Sequence, residues 1–254
     1  MKKEFKRTAL LFISLLSAFL MVQACSKLSS QKISVAVAAN FIKPFGEIAA
    51  AFEAETGIKV EVAYTSSGNL YSQITGGAPY DLFFSADEAR PARLFEGGLA
   101  DSPFVYAKGR IVLWTSKMES CSARDWKQIV RSGDVKKIAI ANPDTAPYGT
   151  AALKAIRAAG LESYLKPRLV TAQSIAQAFQ YTSTGAADAG FCALSSAYSE
   201  EGKKGCFVEM SEAPDIIQSA CILKRTENRK AVDSFVLFIM SEKTVEIKAK
   251  YGYK

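Results

Sequence analysis

Two stretches of this sequence place amide or hydroxyl side chains between a predicted strand and a predicted helix. They are Ala39-Asn40 and Ser66-Ser67-Gly68-Asn69. The first turn of a helix offers unpaired N–H groups at the positive end of the helix dipole, and amide or hydroxyl side chains add further donors. This is chemistry for binding an anion. The alternative interpretation of both stretches is helix capping alone, because Asn and Ser are strong N-cap residues.

The elements that would position these side chains follow from the spacing of apolar residues. Residues 33–37 alternate as a buried strand, and from Ile42 the spacing becomes helical until Gly57, which predicts a C-cap. A strand of period two then covers residues 58–64 and leads into the serine-rich stretch. In that stretch Gly68 permits the close approach of another backbone.

Strands, loops and helices keep alternating along the rest of the chain. Further strands are predicted at residues 80–84, 110–114, 138–141, 168–171, 187–193 and 219–223. Two more loops with small or hydroxyl residues, 142–149 and 172–175, lead into helices. The alternation predicts two sets of αβ units with parallel sheets. The last two helices, 228–240 and 243–251, are expected to cover the first set, so that the chain crosses between the sets twice.

The first 25 residues predict a secretory signal peptide. Their n-region is basic, with Lys2, Lys3, Lys6 and Arg7. The uncharged apolar run 9–22 is too short to span a bilayer comfortably and has the length of a signal h-region. Ala24-Cys25 at its end is similar to a bacterial lipobox, in which Gln23 is unusual. We therefore expect export, with either lipidation of Cys25 or simple cleavage nearby, and a short tether over residues 26–31.

Composition excludes several function classes. The 254 residues include no histidine, which removes Ser-His-Asp and Cys-His catalysis and most metal sites. The formal net charge is +7, part of which belongs to the leader, and no basic run with interleaved aromatic residues predicts nucleic-acid binding. Beyond Cys25, four cysteines remain, namely Cys121, Cys192, Cys206 and Cys221. In an oxidising compartment they allow two disulfides in three connectivities, and their spacing matches no zinc site.

Five segments carry a more specific pattern when they are taken together. They are residues 37–41, 66–70, 77–87, 142–143 with 147–149, and 250–252. In these segments the sequence resembles the periplasmic molybdate-binding proteins of ABC transporters, the ModA type. The resemblance covers residues 32–254, and its most specific part is the run Gly-Ala-Pro-Tyr-Asp-Leu-Phe-Phe-Ser-Ala-Asp at 77–87.

The resemblance implies an α/β, two-lobed periplasmic-binding-protein fold, each lobe a mixed, mostly parallel sheet flanked by helices, with two crossovers at a hinge. Lobe 1 would comprise residues 32–111 and 222–254, and lobe 2 residues 112–221. The implied function is capture of molybdate, and of tungstate, between the lobes by a monomer. The anion is held without direct metal ligands and without a cofactor. The closed protein would then dock on a membrane permease driven by a cytoplasmic ATPase.

Carried over residue by residue, the resemblance also implies the contacts of the oxyanion. They are the backbone amide of Ala39, a side-chain donor on Asn40, the hydroxyl of Ser67, a donor of the second lobe on Tyr148, and the amide of Ile175. None of these groups is charged. Neutral donors and helix N-termini suit a fully ionised oxyanion, which accepts hydrogen bonds and donates none. Replacement of Ser67 is expected to weaken binding with little effect on folding.

The sequence departs from the family pattern at two of these positions. Many members have Ser at the position of Asn40 and a Tyr ligand at the position of Ala193. Those members have a small residue at the position of Tyr148, so the Tyr148 hydroxyl is expected to replace the one missing at Ala193. These departures leave the preference between molybdate and tungstate open.

Three other functions remain as alternatives. Sulfate or another small tetrahedral oxyanion is the first, although a phosphate that keeps a proton would need an acceptor, and only the Asn40 carbonyl offers one. A sensor that binds the anion without transporting it is the second. A hydrolase with Ser67 as nucleophile is the third, and it lacks any histidine base and any lysine at a useful spacing. We therefore expect a binding protein and not an enzyme.

Overall fold

The computed structural model describes residues 32–254, which form one compact unit. The predicted leader, Cys25 and the tether lie outside the described residues. Among the described residues, no helix is long and apolar enough to cross a membrane.

Ten strands in the described chain form two sheets of five. They are β1 Lys32–Ala38, β2 Lys59–Thr65, β3 Leu82–Phe84, β4 Phe104–Gly109, β5 Ile111–Thr115, β6 Ile138–Ala141, β7 Leu169–Ala172, β8 Ala189–Ala193, β9 Cys206–Glu209 and β10 Ile216–Ile222. The short inner strands β3, β5, β6 and β8 are buried along their whole length, as expected for strands covered by helices on both faces.

Helices flank both sheets. The α-helices are α1 Ile42–Thr56, α2 Ser67–Thr75, α3 Ala89–Glu96, α4 Trp126–Arg131, α5 Pro147–Ala158, α6 Glu162–Leu165, α7 Ile175–Ser183, α8 Leu194–Ala197, α9 Arg229–Ile239 and α10 Glu242–Lys250. Short 3-10 turns cover Ala39–Phe41, Met118–Ser122, Lys166–Arg168 and Gly202–Lys204. Helix α1 ends at Gly57 in the left-handed conformation, which confirms the predicted C-cap.

The two sheets share one topology, which confirms the predicted two-lobed α/β fold. The first has the order β2-β1-β3-β10-β4 and the second the order β7-β6-β8-β5-β9. In each, three parallel strands are followed by an antiparallel strand that enters from the other sheet. The antiparallel strands β5 and β10 each pair at the edge with the strand that leaves their sheet, β9 and β4.

The chain passes between the sheets twice, once at Arg110 and once between β9 and β10. The second passage comes earlier than the predicted change of lobe at residues 221–222. Residues 216–221 pair with β3 and β4 and therefore lie in the first sheet. Strand β10 was predicted too short, from residue 219 instead of 216. Its first half pairs with β4, an edge strand that lacks clean alternation and was not predicted from the sequence. The exact division into lobes remains a prediction.

Aromatic side chains form the core beneath the first sheet. The rings of Phe45, Phe84 and Phe235 meet at centroid distances of 5.5 to 6.2 Å. Phe235 belongs to α9, and the core also contains Ile239 from that helix and Tyr251, the C-cap of α10. The C-terminal helices therefore cover the first sheet, as predicted from their apolar faces.

Two of the four described cysteines form a disulfide. It joins Cys121, in the 3-10 turn after β5, to Cys206 at the start of β9. Cys192 and Cys221 carry buried free thiols, and they lie in different sheets, in β8 and β10. One of the predicted disulfides is therefore present, and the other two cysteines are kept apart by the fold.

Glu212 ties the second passage between the sheets to helix α4. Its carboxylate accepts hydrogen bonds from Lys127 Nζ at 2.6 Å and from the Trp126 indole at 2.8 Å. The Lys127 bond and then the Trp126 bond lower the pKa of Glu212 to about 2, from an ordinary 4.5. A carboxyl group with a lowered pKa in the folded state stabilises the fold above its unfolded pKa, and this contribution disappears as the pH falls through the folded pKa.

We therefore expect the Glu212→Gln variant to lose a pH-dependent contribution to stability between about pH 4.5 and pH 2. Its free energy of unfolding should fall less steeply than that of the wild type across this window, as measured by urea denaturation at a series of pH values. Glu246→Gln, at an exposed carboxylate of α10, is the matched control and should follow the wild type. Parallel curves for Glu212→Gln and wild type would contradict the assignment.

Candidate functional site

A small cavity lies where the loops before four helical segments converge. It is lined by Ala38, Ala39, Asn40, Ser66, Ser67, Ala86, Ala146, Pro147, Tyr148 and Ile175. The cavity has an empty volume of about 190 Å³. None of the lining side chains carries a charge, so the cavity fits a small polar solute that neutral groups bind.

All five residues predicted from the resemblance line this cavity. Ala39 begins the 3-10 turn before α1, Ser67 and Ile175 are the first residues of α2 and α7, and Tyr148 follows Pro147 in the first turn of α5. Their backbone N–H groups have no acceptor among the described residues, as is usual for the first turn of a helix. Four positive helix ends thus meet at one point, which favours an anion.

The hydroxyl of Ser67 is held in place by the backbone of the next strand–helix loop. Ala86 N–H donates to Ser67 Oγ at 2.9 Å, and the serine is buried. This bond uses a lone pair of the oxygen and leaves its hydrogen free to donate. The arrangement suits the predicted role as a donor to an oxyanion. Ser67 therefore also supports the fold, contrary to the expectation that its replacement has little effect on folding.

The two halves of the molecule touch beside the cavity. Gly68 N–H donates to the Thr145 carbonyl at 2.8 Å. A Cβ atom on Gly68 would lie only 2.8 Å from Thr145 Cα and from its carbonyl oxygen, which confirms the prediction that glycine allows close backbone approach here. Arg90 Nη2 reaches the Asp144 carbonyl at 3.4 Å on the same side. The first turns of α2 and α3 thus contact the loop before α5 beside the cavity.

Asn40 does not cap helix α1, as the alternative interpretation of its loop supposed. The 3-10 turn has no side-chain cap, and Asn40 Nδ2 donates instead to Gln218 Oε1 at 2.8 Å and to the Tyr253 hydroxyl at 3.0 Å. Its Oδ1 is buried and has no partner among the described residues. The Asn40 side chain therefore belongs to the buried polar contacts behind the cavity and not to a helix cap.

Tyr148 lines the cavity, but its hydroxyl is occupied elsewhere. It accepts a hydrogen bond from Gln218 Nε2 at 3.1 Å and is bonded to the Tyr253 hydroxyl. Burial first, and then the neighbouring Tyr253, raise the pKa of Tyr148 well above its usual value, so the group stays neutral. In this geometry the donor that Tyr148 has available is its backbone N–H. Ala193, at the end of β8, does not line the cavity.

A buried network of polar side chains behind the cavity was missed from the sequence. Gln218 at its centre contacts Asn40, Tyr148 and the Tyr106 hydroxyl, the last at 2.8 Å. The Asn40 carbonyl accepts from the hydroxyls of Tyr253 and Ser195, each at 2.7 Å. The only sequence signal was an amide side chain within an otherwise apolar or small-residue strand, which does not identify its partners.

Comparison with known proteins places this chain in a family. The sequence profile described as "Bacterial extracellular solute-binding protein" matches residues 33–254. The chain belongs to this family. Within it, the chain is 39% identical over 224 residues to the molybdate-binding protein ModA of Rhodobacter capsulatus, an alignment that covers 87% of this chain and 88% of that protein. These matches identify the chain as a ModA-type member of the extracellular solute-binding family.

Two further relatives agree with this assignment. The solved structure of the periplasmic molybdate-binding protein of Azotobacter vinelandii superimposes with a TM-score of 0.81 at 35% identity, covering 87% of this chain and 98% of that one. A Bacillus subtilis protein described as a putative ABC transporter substrate-binding lipoprotein is 29% identical over 256 residues, which is 96% of both chains. As a member of an extracellular family, the solute-binding protein described here is exported.

We expect the Ser67→Ala variant of this solute-binding protein to lose both an anion donor and a support of the fold. With molybdate as the test anion, the binding free energy should weaken by about 1.5–3 kcal/mol, the range for a hydrogen bond to a charged group. The free energy of unfolding should fall by about 1–3 kcal/mol, because the Ala86 N–H loses its acceptor. Calorimetric titration and urea denaturation measure the two losses separately. Unchanged affinity would place the anion elsewhere.

We expect the Tyr148→Phe variant to release the anion faster while associating at the wild-type rate. The lost hydroxyl connects Tyr148 to Gln218 of the other sheet, so its removal destabilises only the closed arrangement. The cost should be about 0.5–1.5 kcal/mol, the value for a hydrogen bond between neutral groups, and equal for every anion that binds. Stopped-flow kinetics separates the two rates. A wild-type release rate would show that the hydroxyl does not hold the closed form.

Proposed function

We propose that this solute-binding protein captures molybdate, and also tungstate, between its two halves and delivers the anion to an ABC transporter. The observation that carries the proposal is an uncharged cavity lined by Ala39, Asn40, Ser67, Tyr148 and Ile175, whose backbone N–H groups find no acceptor in the described part of the chain. These N–H groups belong to helical first turns on both halves of the molecule. The family membership and the names of the relatives support the choice of anion.

Capture follows from the position of the donors on both halves. An anion at this point contacts α2 and the 3-10 turn from one half and α5 and α7 from the other. Only the closed arrangement brings all of these donors to the anion, so binding shifts the equilibrium from open to closed. The Gly68–Thr145 contact adds a bond that forms only on closure. No cofactor is needed, because backbone amides and neutral side chains supply every contact.

Fully ionised tetrahedral oxyanions fit this donor set better than carboxylates or cations do. Each donor at the cavity is neutral, so affinity comes from charge-assisted hydrogen bonds and helix dipoles, which strengthen in a site without water. Sulfate has the same charge and shape as molybdate and a smaller radius, so the two differ only in how well they fill the cavity. A cavity held by rigid helix ends is suited to such a choice of size.

The remaining parts of the proposal concern the place and partners of the protein. We propose that Cys25 carries a lipid that anchors the exported protein to a membrane, in agreement with the lipoprotein among its relatives. The closed form then docks on a permease whose cytoplasmic ATPase drives transport. We propose binding and delivery without catalysis. The hydrogen bond described at Ser67 Oγ is one that it accepts from the Ala86 N–H, and among the described residues no base accepts the Ser67 proton.

Side-by-side calorimetric titration of the mature protein with molybdate, tungstate, sulfate and phosphate tests the proposal. We expect molybdate and tungstate to bind at least about a hundredfold more tightly than sulfate or phosphate, which is close to 3 kcal/mol of binding free energy. Gly68→Ala is the matched variant for closure, and it should weaken molybdate binding because its Cβ would collide with Thr145. Equal affinity for sulfate and molybdate would overturn the proposed specificity.

A further inference from the structure

We propose that Gln218 is a positioning residue that decides which end of the Asn40 amide faces the anion. It thereby selects fully ionised oxyanions over those that keep a proton. The inference rests on the proposed function and concerns the same cavity. It starts from a single anomaly, the buried Asn40 Oδ1 that no donor among the described residues reaches.

Asn40 Oδ1 lacks a donor because of the direction in which the Asn40 side-chain amide points. Asn40 lines the cavity, and its Nδ2 is turned away toward Gln218 and Tyr253. We place the unpartnered Oδ1 on the cavity side, opposite these two partners. An oxygen acceptor at this place repels an anion that carries no proton, and it binds one whose O–H can donate. In this orientation the site suits a hydrogen phosphate better than molybdate.

Joint reversal of two amides removes the anomaly. If the Asn40 and Gln218 amides both turn by about 180°, the nitrogen and oxygen atoms of each amide exchange places. The rest of each side chain stays where it is. Gln218 Nε2 then donates to Asn40 Oδ1 across the present 2.8 Å contact, and Asn40 Nδ2 faces the cavity. The turned Oδ1 also lies 3.0 Å from the Tyr253 hydroxyl, which donates to it instead of to the Asn40 carbonyl, and that carbonyl keeps its bond from Ser195. The buried acceptor has gained donors, and the anion has gained an N–H donor.

The other hydrogen-bond partners of Gln218 are compatible with the reversal. The Tyr106 hydroxyl donates to the Ser85 carbonyl at 3.1 Å and takes a hydrogen bond from the turned Gln218 Nε2 at its present 2.8 Å contact. The Tyr148 hydroxyl, 3.1 Å from Gln218, donates to the turned Oε1. Hydroxyls serve as donor or acceptor, which is why tyrosines around a buried amide pair leave both orientations open.

The two amides turn only together. Reversal of Asn40 alone would set its Oδ1 against Gln218 Oε1, and reversal of Gln218 alone would set two N–H donors against each other. Gln218 is fully buried in β10 and is fixed from three sides. It also links Asn40 to Tyr148 of the other sheet. The orientation that binds molybdate is therefore transmitted to a contact that forms on closure.

A double-mutant cycle on residues 40 and 218 tests this inference. Gln218→Met keeps the length of the side chain and removes its hydrogen bonds, and Asn40→Ser supplies a hydroxyl donor that needs no amide orientation. When residue 40 is the wild-type Asn, we expect Gln218→Met to weaken molybdate binding at least about tenfold and phosphate binding by much less. In the Asn40→Ser background, the loss of molybdate binding should shrink to about twofold.

Thr244→Val is the matched control, because Thr244 is a buried hydroxyl that donates to the Ile239 carbonyl in the C-terminal helices, outside this network. It should leave the molybdate-to-phosphate ratio at the wild-type value. Equal losses from Gln218→Met in both backgrounds, or for both anions, would reduce Gln218 to a structural residue. If wild-type protein binds no molybdate, the proposed function fails instead, so the two failures are distinguishable.

Side-chain amide NMR of the wild-type protein keeps the test independent of whether the variants fold. With ¹⁵N-labelled protein, molybdate should shift the Asn40 side-chain NH₂ resonances and slow their hydrogen exchange, because that group becomes a donor to the anion. Gln218 NH₂ should shift at the same molybdate concentration, since both amides turn together. Movement of Gln218 without Asn40, or of neither, would overturn the inference.

Discussion

An anion in a closed cavity without a counter-charge has to be held by hydrogen bonds alone, and this requirement shapes the rest of the structure. The cavity has no charged lining residue, so its donors are the unpaired N–H groups of four helical first turns and the Ser67 hydroxyl. Such groups are effective only when they are rigid and dry. Each helix therefore begins directly after a strand or a loop anchored to one, and the sheets fix the direction of every donor.

The contact between the two halves is built from neutral groups as well. Gln218 and Tyr253 approach the cavity from the side of the first sheet, and Tyr148 approaches it from the second. Gly109 lies at the first passage between the sheets, and a Cβ there would overlap the Tyr148 hydroxyl and the Gln218 amide. The first passage between the sheets and the cavity thus share one polar network. In the proposed function, closure and anion recognition are coupled because the same side chains take part in both.

The identical strand order of the two sheets explains how one chain forms such a site. Each sheet receives its antiparallel fourth strand from the passage that enters it, so β4 and β10, and likewise β5 and β9, lie side by side. Edge strands β4 and β9 were missed from the sequence because their partners lie far away in the chain. Neither strand shows clean alternation, since packing at the passages determines which of their residues are buried.

The strand–loop–helix units and the Gly57 cap could be predicted from the sequence because they depend on local spacing. The five residues at the cavity could be named only through the family resemblance, which is carried by motifs within short segments. Tertiary structure alone decided what those residues do with their side chains. Asn40 and Gln218 are 178 residues apart, so no local pattern predicts that the amide donates to Gln218. The same holds for the Ser67 bond to Ala86 and for the pairing of Cys121 with Cys206. Local spacing positions the backbone, and hydrogen bonds between distant segments orient the side chains.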